Sequence, residues 1–223
     1  MAPEPAPAAP IVDPIPEVPP TPESMEELPK VNSLGHLKLG LIVGHEAKAP
    51  GATMLGGISE YQYGKDITDK VKLLAPKIDG RIDIEIILRD HIGILGAYAK
   101  ARELLCDAVI ELHFNSFFDG SVHGSLTLCS PDVSDVDFAH IVHSQICEAF
   151  KRSGASLGVK TLSKSGRGGA NVHSFPGGVN CLVEPFFGDN QSDAALASRC
   201  ALEYAGALVR AAQLWGRKVD LLA

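Results

Sequence analysis

The sequence predicts an α/β fold: a central, mostly parallel twisted sheet of about five or six strands with helices on both faces. Two observations carry this prediction. Short β-rich runs alternate with stretches of helical periodicity, and the first two runs are strongly apolar, as in strands covered on both sides. Lys38 to Gly44 (KLGLIVG), Ile82 to Leu88 (IDIEIIL) and Ala108 to His113 (AVIELH) read as strands, followed by Ser125 to Cys129 and Cys181 to Phe186. The first helix announces itself at Ser59 and Gln62, a capping box, after which Tyr63, Ile67, Val71 and Leu74 share one face. Further helical patterns cover about 93–105, 136–152 and 191–215. No segment repeats.

Ten of the fifteen prolines precede Lys30, where extended, solvated backbone is favoured over packed structure. Residues 1–35 are therefore read as a flexible tail and residues 36–223 as one folded domain, which matches what 223 residues can bury. Through Lys30 six acids face one base, so the tail carries −5 of the formal −7. The remainder is nearly neutral, which argues against a nucleic acid partner. The five cysteines (Cys106, Cys129, Cys147, Cys181, Cys200) form no C-x-x-C pair and are expected to be mostly buried thiols. There is no basic and apolar leader at the N-terminus and no run near the ~18 apolar residues of a membrane span. Stable membrane insertion is not expected.

Several short motifs fail on context. Gly154-Ala-Ser156-Leu-Gly158 fits a nucleophile elbow as a string, but a helix precedes it where a strand is required, and it reads as a helix-terminating turn. Gly57 to Lys65 is spaced too widely for a phosphate loop, and Asp66 stands where Ser or Thr should be. His45-Glu46 begins an H-E-x-x-H that Ala49 ends. His140 and His143 could share a helical face, but read as two surface histidines.

One constellation survives. A catalytic metal site commonly uses three side chains of the His and carboxylate types and keeps one position open. His45 follows the first strand behind Gly44, which permits a sharp turn; Glu60 opens the first helix behind its cap Ser59; His113 ends the third strand. All three can converge at one sheet edge, where parallel α/β folds place their sites. Each alone has a bland explanation, a bonded histidine at a strand end or a carboxylate suited to a helix N-terminus. Glu184 is harder to explain blandly, because Cys181-Leu-Val-Glu184-Pro-Phe-Phe puts a carboxylate inside an otherwise apolar strand, where burying an unpaired charge would be costly. A general base beside a metal-activated water is one such use.

In order and spacing, Ile42-Val-Gly-His45, Glu60, Glu111-Leu-His113-Phe-Asn115 and Leu182-Val-Glu184-Pro-Phe-Phe-Gly-Asp-Asn190 resemble the zinc-dependent N-acetylmuramoyl-L-alanine amidases. Ser156-Leu-Gly-Val-Lys160 and Leu88-Arg89 are similar to two further landmarks of that family, and the likeness runs from about Leu39 to Asn190. The resemblance implies one zinc held by His45, Glu60 and His113, with Glu184 as general base and then acid. It implies a peptidoglycan or muropeptide substrate cut at the amide between the lactyl group of N-acetylmuramic acid and L-alanine. It also implies action at the cell wall after delivery by a pore, a virion or another export route, as in a phage or prophage lysin. The chain departs from the family where D-P-G-H-G-G reads Ile42-Val-Gly-His45-Glu-Ala, so the group that orients His45 must come from elsewhere. The family's arginine and A-N pair before the third strand read Ala97 and Ala101-Arg102.

Asn115 is a candidate for substrate contact, as are Arg167 and His173 in the Gly-rich stretch Lys164 to Gly178, where two cations could face peptide carboxylates. A plain solvated loop explains that stretch equally well. The competing functions are another zinc-dependent amidohydrolase or carboxypeptidase acting on small acyl-amino acids or wall peptides, and a metal-free wall-binding protein.

Overall fold

The computed structural model describes residues 35–152, 156–165 and 169–222. Residues 1–34 of the expected tail and Arg167 lie outside the described residues. Six strands form one sheet: β1 (Leu37–Val43), β2 (Ile82–Leu88), β3 (Ala108–Leu112), β4 (Ser125–Cys129), β5 (Ser156–Thr161) and β6 (Val179–Glu184), in the order β2-β1-β3-β6-β4-β5. Every neighbouring pair is parallel except β4 and β6, which run antiparallel. The helices are α1 (Glu60–Ile78), α2 (Gly93–Glu103), α3 (Val133–Ala149), α4 (Gly169–Val172), α5 (Gln191–Arg199) and α6 (Ala201–Lys218).

Strand alternation decides what each face meets. Leu37, Leu39 and Leu41 of β1, with Ala108, Ile110 and Leu112 of β3 and Cys181 and Val183 of β6, join the main core under α1, α3 and α6. Ile42, Ile87 and Val109 point the other way and pack on Ala97, Tyr98 and Ala101 of α2 and on Phe175. Both faces are thus covered, and each fully buried leucine of β1 stabilises the fold by about 1.5–3 kcal/mol. Helix α6 buries Ala205, Ala207, Ala211 and Ala212, small side chains that let it pass closely over the sheet. The described cysteines are free, and four of the five are buried. Among the described residues no helix is long and apolar enough to cross a membrane.

Four sequence expectations need correction. Ser156 does not sit in a helix-terminating turn but opens β5, an edge strand with Gly158 at φ 81° and a register shift opposite Ser125/Leu126. His143 is not a surface residue: it is buried in α3, its ring bonded to Thr127 Oγ1 (3.0 Å) and to Ser156 Oγ. The helical pattern over 191–215 is two helices, broken at Cys200, whose φ −105° and ψ 19° leave the α-helical range. The fourth correction concerns the backbone turn at His45 and belongs with the site.

Candidate metal centre

Strands β1, β3 and β6 are adjacent and parallel, so their C-terminal ends lie at one edge of the sheet. The chain leaves β1 for β2 on one side and returns to β3 on the other, and a cleft opens where the connections part. His45 lies just beyond the end of β1, His113 just beyond β3, and Glu184 ends β6. Glu60 arrives from the main-core face as the first residue of α1, behind Ser59, whose reciprocal bonds with Gln62 complete the expected capping box.

These residues converge. Glu60 Oε2 lies 3.0 Å from His113 Nδ1 and 3.3 Å from His45 Nε2, and one ligand atom from each of the three falls within 4.8 Å of the others. The second oxygen, Oε1, accepts a hydrogen bond from the Ala52 amide at 2.9 Å, which fixes the carboxylate's rotation. The imidazoles meet edge to face, with centroids 5.0 Å apart. A cavity of about 590 Å³ opens over the cluster, walled by Arg89, Asn115, Asn171, Leu182 and Glu184 among others.

Glycine explains how the rings approach so closely. The left-handed residue after β1 is His45 itself, at φ 65°, a conformation that His tolerates better than most side chains. Gly44 serves closeness rather than the turn: a Cβ there would collide with the Leu112 carbonyl and lie 2.6 Å from His113 Cε1. On the far side a Cβ at Gly51 would lie 2.6 Å from His45 Cδ2, so Gly51 leaves the room that the His45 ring fills. Gly44→Ala is expected to destabilise the protein by about 1–3 kcal/mol, as overpacking does, and to weaken metal uptake, which thermal melts and chelator competition would measure.

The electrostatics of the cluster are strongly coupled. Burial would raise the Glu60 pKa, but hydrogen bonds from His113 and His45 outweigh it and hold the carboxyl down at about 2. Burial would lower the His113 pKa, but hydrogen bonds to Glu111 and Glu60 carry it up to about 9. A proton on His113 would compete with a cation for this cluster. Because its folded pKa exceeds the ordinary 6.5, this proton stabilises the metal-free fold fully below pH 6.5 and ceases to do so as pH rises through about 9. A cation must displace the proton, so affinity should rise by about tenfold per pH unit towards pH 9 and then level off. Thermal melts and chelator competition across that range, with and without metal, would check both slopes.

Glu184 Oε2 accepts a hydrogen bond from Asn115 Nδ2, and Asn115 Oδ1 accepts one from the Ser116 amide at 2.8 Å. Asn190 caps α5, accepting from the Asp193 amide at 3.1 Å and donating to the Gly120 carbonyl at 2.8 Å. His173 is not among the residues that wall the cavity, and its Nε2 pairs with the Leu162 carbonyl at 2.9 Å. One residue was missed in the sequence. Glu111, fully buried, accepts from Arg89 Nη1 (3.0 Å), Tyr98 Oη (2.9 Å) and Asn171 Nδ2 (3.0 and 2.8 Å), and lies 3.1 Å from His113 Nε2. Its signal was the spacing E-x-H in a strand, which places both side chains on one face.

No family model and no curated protein matches the sequence. Solved structures do match. An N-acetylmuramoyl-L-alanine amidase of Nostoc punctiforme, AmiC2, superposes with a TM-score of 0.69 at 21% identity, over 82% of this chain and 98% of that one. The fold is that of the N-acetylmuramoyl-L-alanine amidases. The amidase of Mycobacterium smegmatis matches with a TM-score of 0.67 at 20% identity, covering 84% of this chain and 100% of its own. The catalytic domain of an endolysin targeting Clostridia difficile gives a TM-score of 0.60 at 23% identity, over 80% of this chain and 97% of that domain. On this amidase fold, the His45, Glu60 and His113 cluster lies at the carboxyl edge of the parallel strands, where such folds place their chemistry.

Proposed function

We propose that the protein is a zinc-dependent N-acetylmuramoyl-L-alanine amidase that hydrolyses the amide between the lactyl group of N-acetylmuramic acid and the L-alanine of a peptidoglycan stem peptide. The observation that carries this reading is the meeting of His45, Glu60 and His113 in one cavity with Glu184, on a fold shared with amidases of that specificity.

The residues suit zinc. Two imidazoles and one carboxylate are a borderline donor set that zinc accepts readily, Glu60 is already ionised, and Gly44 and Gly51 leave room only for the rings to draw together. Zinc bound there would supply a Lewis acid that polarises the amide carbonyl and lowers the pKa of a water towards neutrality. Glu184 takes a proton from the attacking water and passes it to the leaving amine of L-alanine. Asn115 holds the Glu184 carboxylate in place through its side-chain amide, an orienting role beside its place in the cavity wall. Leu128, Leu182 and Phe114 line the same cavity and limit water around the scissile bond.

Elemental analysis of the purified protein tests the reading, with chelation and zinc restoration followed by turbidity of a peptidoglycan suspension. One zinc per chain and zinc-restored clearing are expected. Clearing that survives complete chelation, or no stoichiometric zinc, would overturn it.

A further inference from the structure

Glu111 has a distinct place in the site. Burying a carboxylate is costly unless donors surround it, and here Arg89, Tyr98 and Asn171 supply them. Both oxygens are occupied by these donors, so Glu111 is not a fourth ligand. It lies against Nε2 of His113, whereas the ring's other nitrogen, Nδ1, faces Glu60 Oε2 and through it His45 Nε2.

We propose that Glu111 is the positioning residue of the centre: it accepts the Nε2–H of His113 and so fixes the neutral tautomer whose Nδ1 lone pair faces the metal. This rests on the zinc reading above. A neutral imidazole has a single N–H, and the better acceptor decides which nitrogen keeps it. Glu60 directs its oxygen to the cation, which leaves Glu111 as the acceptor, and a carboxylate in that position also makes the ligating nitrogen more basic. Arg89, 3.0 Å from Glu111, offsets the added negative charge. The same carboxylate therefore holds one ligand and two cavity-wall residues, Arg89 and Asn171, in register.

Long-range proton–nitrogen spectra of the zinc-loaded protein labelled with 15N-histidine read the tautomer directly. The expected pattern is metal-bound Nδ1 and protonated Nε2 at His113, and the reverse pattern would overturn the proposal. In a second measurement, Glu111→Gln should lower zinc affinity by about 10- to 100-fold in chelator competition. A purely structural Glu111 would lower the melting temperature equally with and without zinc and leave affinity within about twofold, which also contradicts the proposal. The spectra of the parent protein decide the matter even if that variant does not fold. Failure of the parent to take up zinc at all would instead remove the zinc reading, and this inference with it.

Discussion

Glu184→Gln is expected to abolish turnover while leaving the metal in place. The amide keeps the shape of the side chain and its contact with Asn115 but cannot take a proton, so the loss should match the worth of a general base, about 10²- to 10⁴-fold in kcat. That is about 3–5 kcal/mol of transition-state stabilisation. Substrate binding should change little, since the group acts on the moving proton rather than on the ground state. Zinc content measured on the same preparation is the control. A variant that retains zinc and near-parental activity would remove Glu184 from the chemistry.

His113→Ala is expected to act earlier, on the centre itself. Loss of this ring removes one of the three proposed ligands, deprives Glu60 of its 3.0 Å partner and leaves the buried Glu111 without one of its four contacts. Zinc affinity should fall by at least about 100-fold, the upper end of what supporting residues alone contribute, and activity should fall with it. The metal-free protein should also lose stability, because two buried carboxylates are left less well compensated. Melting curves in the presence of chelator separate that effect from loss of zinc: the variant should melt below the parent even when neither holds metal.

The two variants test different parts of a site that was not equally legible in the sequence. The cluster was legible because each member sits at the end of a regular element, and such ends can be read from apolar runs and caps: His45 after KLGLIVG, Glu60 behind Ser59, His113 after AVIEL. Glu184 stood out as a lone charge in an apolar strand. Glu111 is likewise a lone charge in an apolar strand, and only the two-residue period of β3 links it to His113. Strand β5 was missed because Ser156–Thr161 is a half-exposed edge strand interrupted by Gly158, with no apolar alternation to mark it. Helix α4 is a single short turn, too brief for a helical period to register.

The role of His45's surroundings was misread for a physical reason. A glycine beside His45 suggests a turn, yet next to β1 the positive φ lies on the histidine, and a side chain at 44 would meet the His113 ring and one at 51 the His45 ring. Close packing of that kind is a tertiary fact, set by which elements the fold brings together. The same holds for Asn115, whose bond to Glu184 joins residues that are 69 positions apart.

Mass spectrometry of the products released from purified peptidoglycan by the zinc-loaded protein tests the central claim most directly. Free stem peptides beginning with an N-terminal L-alanine, together with glycans that keep an intact lactyl carboxylate, are the predicted products. Peptides trimmed elsewhere with the lactyl amide untouched would contradict the account and point to a different zinc hydrolase on this fold.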